Sequence, residues 1–284
     1  MGELFIVSSE QTLEAAGAIT QLASSGEWTV TLYCDSESLC QKAAEAIRAA
    51  SLAKGAKENT DPPPSQAATG RVRTTTVISE ARKADIVIES TFETESGKQE
   101  ILRRLDALCT EKTIIASNTS TIPITHLAAG TRHPDRIIGM HFIYFSPVLK
   151  VVEIVRSAWT SEATAQTAKE LAGGLGLETV AAEDVPGLLS TRIWMVHLNE
   201  AANNVLNKLV EPQALKKLNR TISPQAYSIL ESADFIGIDN CVAWLQNLYR
   251  AYGDPKYAPS PLLIQMLDAG HIGVRAGRGF FNYT

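Results

Sequence analysis

Three side chains in the middle of the chain supply the chemical groups that proton transfer requires. Ser120 ends a Ser-Asn-Thr-Ser run, His141 follows in the next predicted strand, and Glu153 lies twelve residues beyond the histidine. A histidine that is oriented by a carboxylate accepts a proton readily near neutral pH. Because each of the three lies close to the end of a predicted strand, the spacing predicts a proton-transfer site made of a hydroxyl, an imidazole and a carboxylate.

A structural role is the alternative interpretation of these residues. A single histidine at a strand end is more often structural than catalytic, and Ser120 can instead cap the helix that follows Pro123. The spacing of Glu153 and the nearby serine favour a functional role for His141. The other histidines lack such neighbours and are interpreted as structural: His126, His133, His197 and His271.

Alternating strands and helices form the framework that must position this site. The predicted strands are Leu4–Ser8, Thr29–Cys34, Arg73–Ile78, Ile86–Ser90, Thr113–Ser117, Ile137–His141, Val151–Val155 and Glu178–Ala182. Helical apolar spacing between them predicts the helices Thr12–Ser24, Ser36–Ala53, Thr94–Leu108 and Ser161–Leu175. Strands joined by such helices indicate right-handed crossovers, so we expect an α/β fold with a doubly wound, mostly parallel sheet.

The chain beyond Pro186-Gly187 has no strand pattern and predicts a second, smaller domain that is all helical. Its predicted helices are Leu188–Leu209, Pro224–Ala233, Cys241–Ala251 and Pro261–Ala269. We therefore divide the chain into an α/β domain, residues 1–185, and a helical domain, residues 186–284.

Composition and charge exclude several classes of protein. The 284 residues are 45% hydrophobic and 20% charged, as in an ordinary globular protein, and the formal charge of −5 argues against a nucleic-acid partner. No apolar run is long enough to span a bilayer, and the N-terminus lacks a signal-peptide pattern. The cysteines are scattered without a C-x-x-C pair, so we expect reduced thiols, no metal site and a cytoplasmic location.

Several short motifs, taken in order, resemble the L-3-hydroxyacyl-CoA dehydrogenase family over most of the chain. The matching segments are Val87–Glu93 with Lys98, Ser117–Ser120, Gly139–Phe142 with Glu153, Asp184–Gly187, Ala233–Gly237 and Gly277–Phe281. Each motif alone is weak, but all of them at matching separations are specific. The resemblance implies a Rossmann-type dinucleotide-binding domain followed by a helical domain for substrate binding and dimerisation.

The resemblance also implies a role for each site residue. His141 is the base that takes the proton of the substrate's 3-hydroxyl while hydride goes to the nicotinamide, and Glu153 fixes its tautomer. Ser120 lies between the substrate oxygen and the nicotinamide. Glu93 and Lys98 contact the nicotinamide ribose. Without the resemblance, a lysine on a helix would be interpreted as a solvent-exposed residue.

The turn after the first strand departs from the family. A dinucleotide fingerprint, G-x-G-x-x-G, should begin near Ser8, yet no glycine occurs between Gly2 and Gly17. Side chains on this turn would crowd a pyrophosphate, and the carboxylates of Glu10 and Glu14 would repel it where a helix N-terminus normally attracts an anion. Each such charge opposes a phosphate by about 1 kcal/mol.

Four further positions differ from the family or are ambiguous. The acid expected after the second strand aligns with Cys34, with Asp35 one residue later. Thr191 stands where the family has an asparagine that donates a hydrogen bond at the active site. Tyr144 replaces an asparagine near the nicotinamide carboxamide, and Arg275 takes a basic cofactor-site position that is usually lysine.

The sequence leaves three functions open. The first is a dehydrogenase that uses NAD or NADP on a β-hydroxy or β-keto thioester, such as an acyl-CoA, or a related acid. The second is an isomerase, lyase or cyclase that uses no cofactor and keeps His141 and Glu153 for acid–base chemistry. The third is a non-catalytic protein that assembles through its helical domain. A homodimer through that domain is expected, with Leu188–Leu209 as the candidate interface.

Overall fold

The structure is a computed structural model that describes residues 2–24, 28–58, 71–143, 150–222 and 228–283, with the backbone alone for residues 50–58. The chain forms two compact units. One contains the described residues up to Thr119 together with residues 124–142 and 150–184. The other contains residues 120–123, residue 143 and the described residues from Val185 onward.

The first unit is built on one eight-stranded sheet. Its strands are β1 (Gly2–Ser8), β2 (Trp28–Tyr33), β3 (Val72–Thr75), β4 (Ile86–Ser90), β5 (Ile114–Ser117), β6 (Ile137–Phe142), β7 (Val151–Arg156) and β8 (Glu178–Ala182). Their order is β3-β2-β1-β4-β5-β6-β7-β8, and every neighbouring pair is parallel except β6 and β7. The connection from β6 to β7 is too short for a crossover, which requires a dozen or more residues, so these two strands run antiparallel.

Helices flank this sheet, as the alternating pattern predicts. They are α1 (Leu13–Ser24), α2 (Glu37–Glu58), α3 (Glu95–Leu108), α4 (Ile124–Ala128) and α5 (Glu162–Gly174). All residues of β4, β5 and β6 are buried, which is typical of strands covered on both faces. The predicted doubly wound α/β fold is confirmed.

The third strand is shorter than predicted. It ends at Thr75 rather than Ile78, and residues Ile78–Lys83 form a 3-10 helix. The Thr75 hydroxyl accepts the Val77 N–H at 3.1 Å, a side-chain turn that competes with strand pairing. The strand propensity of Thr-Thr-Thr-Val-Ile is therefore overridden by a local hydrogen bond.

The four cysteines are all buried and unpaired. Burial raises the pKa of the Cys34 thiol to about 12 and that of Cys109 to about 11. Burial likewise raises the pKa of Cys241 well above its usual value. These thiols are therefore protonated, packed core groups at neutral pH.

The second unit is helical around its own hydrophobic core. Its helices are α6 (Ser190–Leu206), α7 (Pro212–Ile222), α8 (Ile229–Ile236), α9 (Ile238–Tyr252) and α10 (Pro261–Asp268). Fully buried side chains from α6, α8, α9 and α10 form the core, including Met195, Leu230, Leu245 and Leu263. The predicted smaller helical domain is thus confirmed, although part of the predicted Pro224–Ala233 helix lies outside the described residues.

Helix α7 was not predicted from the sequence. Pro212 at its first position and apolar residues at Leu215, Leu218 and Ile222 were the available signals. Leu218 and Ile222 are exposed, so the apolar side of this helix is only partly covered within one chain.

Asp234 joins two of the motifs in the helical unit. Its carboxylate accepts the N–H groups of Phe280 and Phe281 at 2.8 and 2.9 Å and the Tyr283 hydroxyl at 3.0 Å. Any side chain at Gly279 would collide with the same carboxylate. Burial raises the pKa of Asp234 to about 6 against the effect of these donors. Motifs that are far apart in the chain therefore serve one tertiary contact.

Candidate active site

The histidine and the glutamate of the predicted pair lie on neighbouring antiparallel strands. His141 of β6 is directly opposite Glu153 of β7, and cross-strand partners place their side chains on the same face of the sheet. Nδ1 of the imidazole lies 2.6 Å from Oε2 of the carboxylate. Both residues are buried, at 3% and 1% exposure. Their twelve-residue spacing fits the antiparallel pairing of the two strands.

This hydrogen bond determines the chemistry of the imidazole. When Nδ1–H donates to a carboxylate, the neutral ring carries its lone pair on Nε2. The same carboxylate stabilises the imidazolium that forms when Nε2 accepts a proton. The pair therefore has the geometry of a general base held in one tautomer.

Asn118 links the carboxyl ends of the strands around the histidine. Its Oδ1 accepts the N–H of Phe142 at 2.9 Å, and its Nδ2 donates to the Ser90 hydroxyl at 3.1 Å. Its own N–H donates to the Glu89 carbonyl at 2.7 Å. Since Phe142 directly follows His141, this carboxamide connects the backbone beside the histidine to β4. We did not single out Asn118 from the sequence, although it stands inside the quoted Ser-Asn-Thr-Ser run.

A buried charge cluster lies at the same edge of the sheet. The fully buried Lys98 ammonium donates to Oε1 of Glu89 at 2.9 Å and to the Thr91 carbonyl at 3.0 Å, and it lies 3.4 Å from Oε2 of Glu93. The other oxygen of Glu89 accepts the Ser117 hydroxyl at 2.6 Å. The alternative of a solvent-exposed lysine is therefore wrong, and Glu89 is a central residue that sequence reasoning missed.

The charges of this cluster depend on one another. Burial alone would raise the pKa of Glu89, but the Lys98 ammonium and the surrounding donors hold it below its usual value. Burial alone would lower the pKa of Lys98, but Glu89 and Glu93 keep it above its usual value. Both groups are therefore charged at neutral pH, as a buried pair must be when its hydrogen bonds are complete.

Glu93 links this cluster to the Ser-Asn-Thr-Ser run. Its Oε1 accepts the Thr119 hydroxyl at 2.5 Å, while its other oxygen faces Lys98. The family resemblance implies that Glu93 and Lys98 contact a nicotinamide ribose. The Lys98 ammonium is fully buried against Glu89, Thr91 and Glu93, so it positions Glu93, and the ribose contact stays a prediction.

The turn after β1 is built without glycine. Residues Glu10–Thr12 form a 3-10 helix, and no described residue of this turn has a positive φ. The Thr12 hydroxyl donates to the Ser90 carbonyl at the end of β4 at 2.5 Å and accepts the Ser9 N–H at 3.2 Å. The Ser8 hydroxyl donates to the Tyr33 carbonyl at 3.0 Å. Side-chain hydrogen bonds thus stabilise this turn in a backbone conformation that does not require glycine.

The residues at the end of β2 differ sharply in exposure. Cys34 is buried, and its sulfur lies 3.9 Å from the Ser8 hydroxyl. Asp35, the next residue, is exposed. The Asp35 carboxylate is therefore accessible to solvent at this edge of the sheet, whereas the Cys34 thiol is not.

The sheet order tests whether a dinucleotide fits the first unit. From β1 the chain continues to β2 and β3 on one side of the sheet, whereas β4 lies on the other side of β1. The strand order therefore reverses at β1, and doubly wound sheets bind nucleotides at such a reversal. Asp35 after β2 and Glu93 after β4 are hydrogen-bond acceptors suited to the hydroxyls of ribose. These two acceptors and the strand reversal therefore suit the riboses of a dinucleotide, whereas the side chains of the turn after β1 lie where its pyrophosphate is expected.

Three other predicted site residues belong to the helical unit. Thr191 is fully buried in the first turn of α6, and its hydroxyl has no hydrogen-bond partner among the described residues. The Arg275 guanidinium lies 2.7 Å from both oxygens of Asp239. Ser120 is buried and groups with this unit. Tyr144 lies outside the described residues.

The backbone just before α6 is in an unusual conformation. Gly187 and Leu188 have φ values of 81° and 49°, and the left-handed region is rare for a residue such as leucine. The Arg192 N–H donates to the Gly187 carbonyl at 3.1 Å across this bend. The motif that begins with Asp184 therefore ends in a strained turn that starts α6 beside Thr191.

The described residues lack the features of two other classes of site. No cluster of three or more histidine, cysteine, aspartate or glutamate side chains is arranged to hold a metal ion. None of the helices in the described segments has the length and apolar character to cross a membrane.

Sequence profiles of one family match both parts of the chain. The profile described as "3-hydroxyacyl-CoA dehydrogenase, NAD binding domain" matches residues 15–185, and "3-hydroxyacyl-CoA dehydrogenase, C-terminal domain" matches residues 187–283. The first match begins beyond the glycine-free turn.

Individual relatives agree with these matches. A probable 3-hydroxybutyryl-CoA dehydrogenase of Bacillus subtilis is 40% identical over 75% of this chain and 74% of its own. A protein of the same description from Deinococcus radiodurans is 35% identical over 95% and 97%. The crystal structure of (S)-3-hydroxybutyryl-CoA dehydrogenase from Ralstonia eutropha superimposes with a TM-score of 0.81 at 31% identity, over 100% of this chain and 99% of that one.

Proposed function

Because the chain belongs to the 3-hydroxyacyl-CoA dehydrogenase family and is an oxidoreductase of that class, we propose that it interconverts a 3-hydroxyacyl and a 3-oxoacyl thioester of coenzyme A. The names of the relatives favour a short acyl chain, as in 3-hydroxybutyryl-CoA. The observation that carries the proposal is the buried His141–Glu153 pair, with Nδ1 2.6 Å from Oε2. Nothing in the comparisons supports the redox-inactive alternative.

In this proposal His141 moves the proton. Its Nε2 accepts the proton of the substrate's 3-hydroxyl as the C–O bond gains double-bond character, and Glu153 stabilises the resulting imidazolium. In the reverse direction the same nitrogen returns the proton to the oxygen. When bound, the dinucleotide supplies the hydride acceptor or donor.

Two hydroxyls are proposed to position the substrate oxygen. The Ser120 hydroxyl donates to the oxygen on which negative charge develops, and Thr191 supports the same oxygen or the thioester carbonyl. The unpartnered, fully buried Thr191 hydroxyl supports this role, because such a group costs free energy unless something bonds to it. Loss of one donor of this type typically slows turnover about 100-fold or more.

NAD is the proposed cofactor. The exposed carboxylate of Asp35 suits the two free hydroxyls of an adenosine ribose and repels a 2′-phosphate. Glu93, positioned by Lys98, is proposed to bind the nicotinamide ribose, and Ser8 lies at the start of the pyrophosphate turn. Tyr144 and Arg275 remain proposed cofactor-site residues on the resemblance alone.

The helical unit is the proposed site of a homodimer. Large apolar side chains on or beside α6 and α7 are exposed in the single chain: Leu189, Ile193, Leu209, Leu218 and Ile222. Burying such a surface against a second copy is favourable.

The free, buried cysteines support a location in the cytoplasm.

The proposal is tested by following NADH oxidation with acetoacetyl-CoA. We expect turnover by the wild-type enzyme and a loss of about 10²–10⁴-fold in kcat in His141→Ala. Glu153→Gln should lose less, because the amide keeps a hydrogen bond to the ring but cannot stabilise the imidazolium. No turnover with any 3-oxoacyl-CoA, or full activity in His141→Ala, would refute the proposal.

A further inference from the structure

The side chain that closes the β1 turn is Thr12. It is the last residue of the 3-10 helix and directly precedes Leu13, the first residue of α1. Its hydroxyl donates to the Ser90 carbonyl on β4, accepts the Ser9 N–H, and lies 3.0 Å from the Ser9 hydroxyl. One side chain thereby ties the turn to the neighbouring strand.

This hydrogen bond spans the place where the backbone of a doubly wound fold meets a pyrophosphate. Phosphates bind at the N-terminus of the helix after β1, in the crevice between β1 and the strand across the reversal. In this protein that neighbouring strand is β4, and Ser90 is its last residue. The Thr12–Ser90 contact therefore joins the two walls of the crevice.

We propose that Thr12 is a latch that sets the affinity for the dinucleotide: its hydroxyl holds the turn closed against β4, and pyrophosphate binding requires that hydrogen bond to open. The proposal rests on the proposed use of a nicotinamide dinucleotide. It adds that the wild-type chain binds the pyrophosphate more weakly than a chain without the Thr12 side chain would.

The matched variants are Thr12→Gly, which removes both the hydroxyl and the bulk, and Thr12→Ser, which keeps the hydroxyl. We expect Thr12→Gly to tighten the binding of NADH and of ADP-ribose by about tenfold, on the scale of one net hydrogen bond. Thr12→Ser should bind both ligands as the wild type does. Dissociation constants are measured by calorimetry, with thermal unfolding to establish that each variant is folded.

The choice of ligands isolates the pyrophosphate. ADP-ribose carries the pyrophosphate without the nicotinamide, whereas reduced nicotinamide mononucleotide carries the nicotinamide and a single phosphate. A gain for NADH and ADP-ribose without a gain for the mononucleotide supports the latch. An equal gain for all three ligands would contradict it.

Other outcomes separate the latch from the proposed function. If NADH binds the wild type and Thr12→Gly binds it equally or more weakly, the latch is refuted and the dehydrogenase proposal stands. If neither the wild type nor any variant binds NADH or ADP-ribose at millimolar concentration, the proposed cofactor itself is refuted. Because none of these measurements requires turnover, a defect in catalysis cannot mimic either result.

Discussion

The edge of the sheet around His141 and the turn after β1 belong to the same sheet but are built differently. Around His141, buried charged and polar groups bond to one another across β4, β5, β6 and β7. The turn after β1 is held by side-chain hydrogen bonds of Ser8, Ser9 and Thr12, with exposed carboxylates nearby. A network shared by several strands tolerates little change, whereas a surface turn can be rebuilt without loss of the fold.

The largest effect on stability is expected for Lys98→Met. Removal of one partner of a buried ion pair leaves uncompensated charge, so we expect a loss of about 3–5 kcal/mol in the free energy of unfolding. Lys42→Met, on the exposed side of α2, is the control and should change stability by less than about 0.5 kcal/mol. Urea denaturation measures both. Equal effects would mean that the cluster around Lys98 does not hold this edge together.

The pH dependence of stability sharpens the same point. The pKa of Glu89 is lowered in the folded protein, so its stabilising contribution is present above its unfolded pKa and disappears as the pH falls through the folded pKa. Without the Lys98 ammonium, burial raises that pKa, and Lys98→Met should instead gain stability on acidification. Urea midpoints from neutral pH down to about pH 2 give the slope, because the wild-type loss begins only below the unfolded glutamate pKa of about 4.3. The same sign of slope in both proteins would contradict this assignment.

A smaller effect is expected at Asn118. In Asn118→Ala the Phe142 N–H loses its acceptor beside the proposed base His141, and we expect kcat to fall about 10–100-fold, the kinetic equivalent of ~1–3 kcal/mol. Asn118→Asp keeps an acceptor for that N–H and should retain more activity. Steady-state kinetics separates kcat from KM. If the alanine and aspartate variants are equally impaired, the carboxamide does not act through Phe142.

The smallest effects are expected on the turn. Glu10→Gln and Glu14→Gln each remove a carboxylate at the start of α1, so NADH should bind several-fold more tightly, about 1 kcal/mol or less per charge. Added salt should reduce the gain, because both residues are exposed. Glu178→Gln on β8 is the exposed control. Fluorescence titration of NADH measures all three, and an unchanged affinity in both variants would show that these charges are distant from the phosphates.

Much of the fold could be predicted because its signals are local. The runs that form β4, β6 and β8 and the helices α3 and α5 lie within a residue or two of the predicted bounds. The sequence could not predict where β3 ends, since one Thr75 hydrogen bond decides it. Helix α7 was missed because its apolar residues are few and mainly exposed.

The site was predictable only in part. His141 and Glu153 could be paired from spacing, because antiparallel neighbours place residues at fixed separations. Glu93 could be paired with Lys98 through the resemblance, but Glu89 and Thr91 could not, since they surround the ammonium only after β4 and α3 pack together. The Thr12–Ser90 hydrogen bond likewise joins residues from separate elements. Contacts of this kind depend on tertiary structure and leave no short-range pattern.

The burial of the cysteines provides a built-in reporter of local opening. A thiol that is packed in a core is out of reach of an alkylating reagent, so each cysteine becomes labelled only when its surroundings open. Cys34, Cys40 and Cys109 lie in the α/β unit, whereas Cys241 lies in the core of the helical unit. Mass spectrometry of alkylated peptides during a denaturant titration can therefore follow the opening of the two units separately, without any introduced probe.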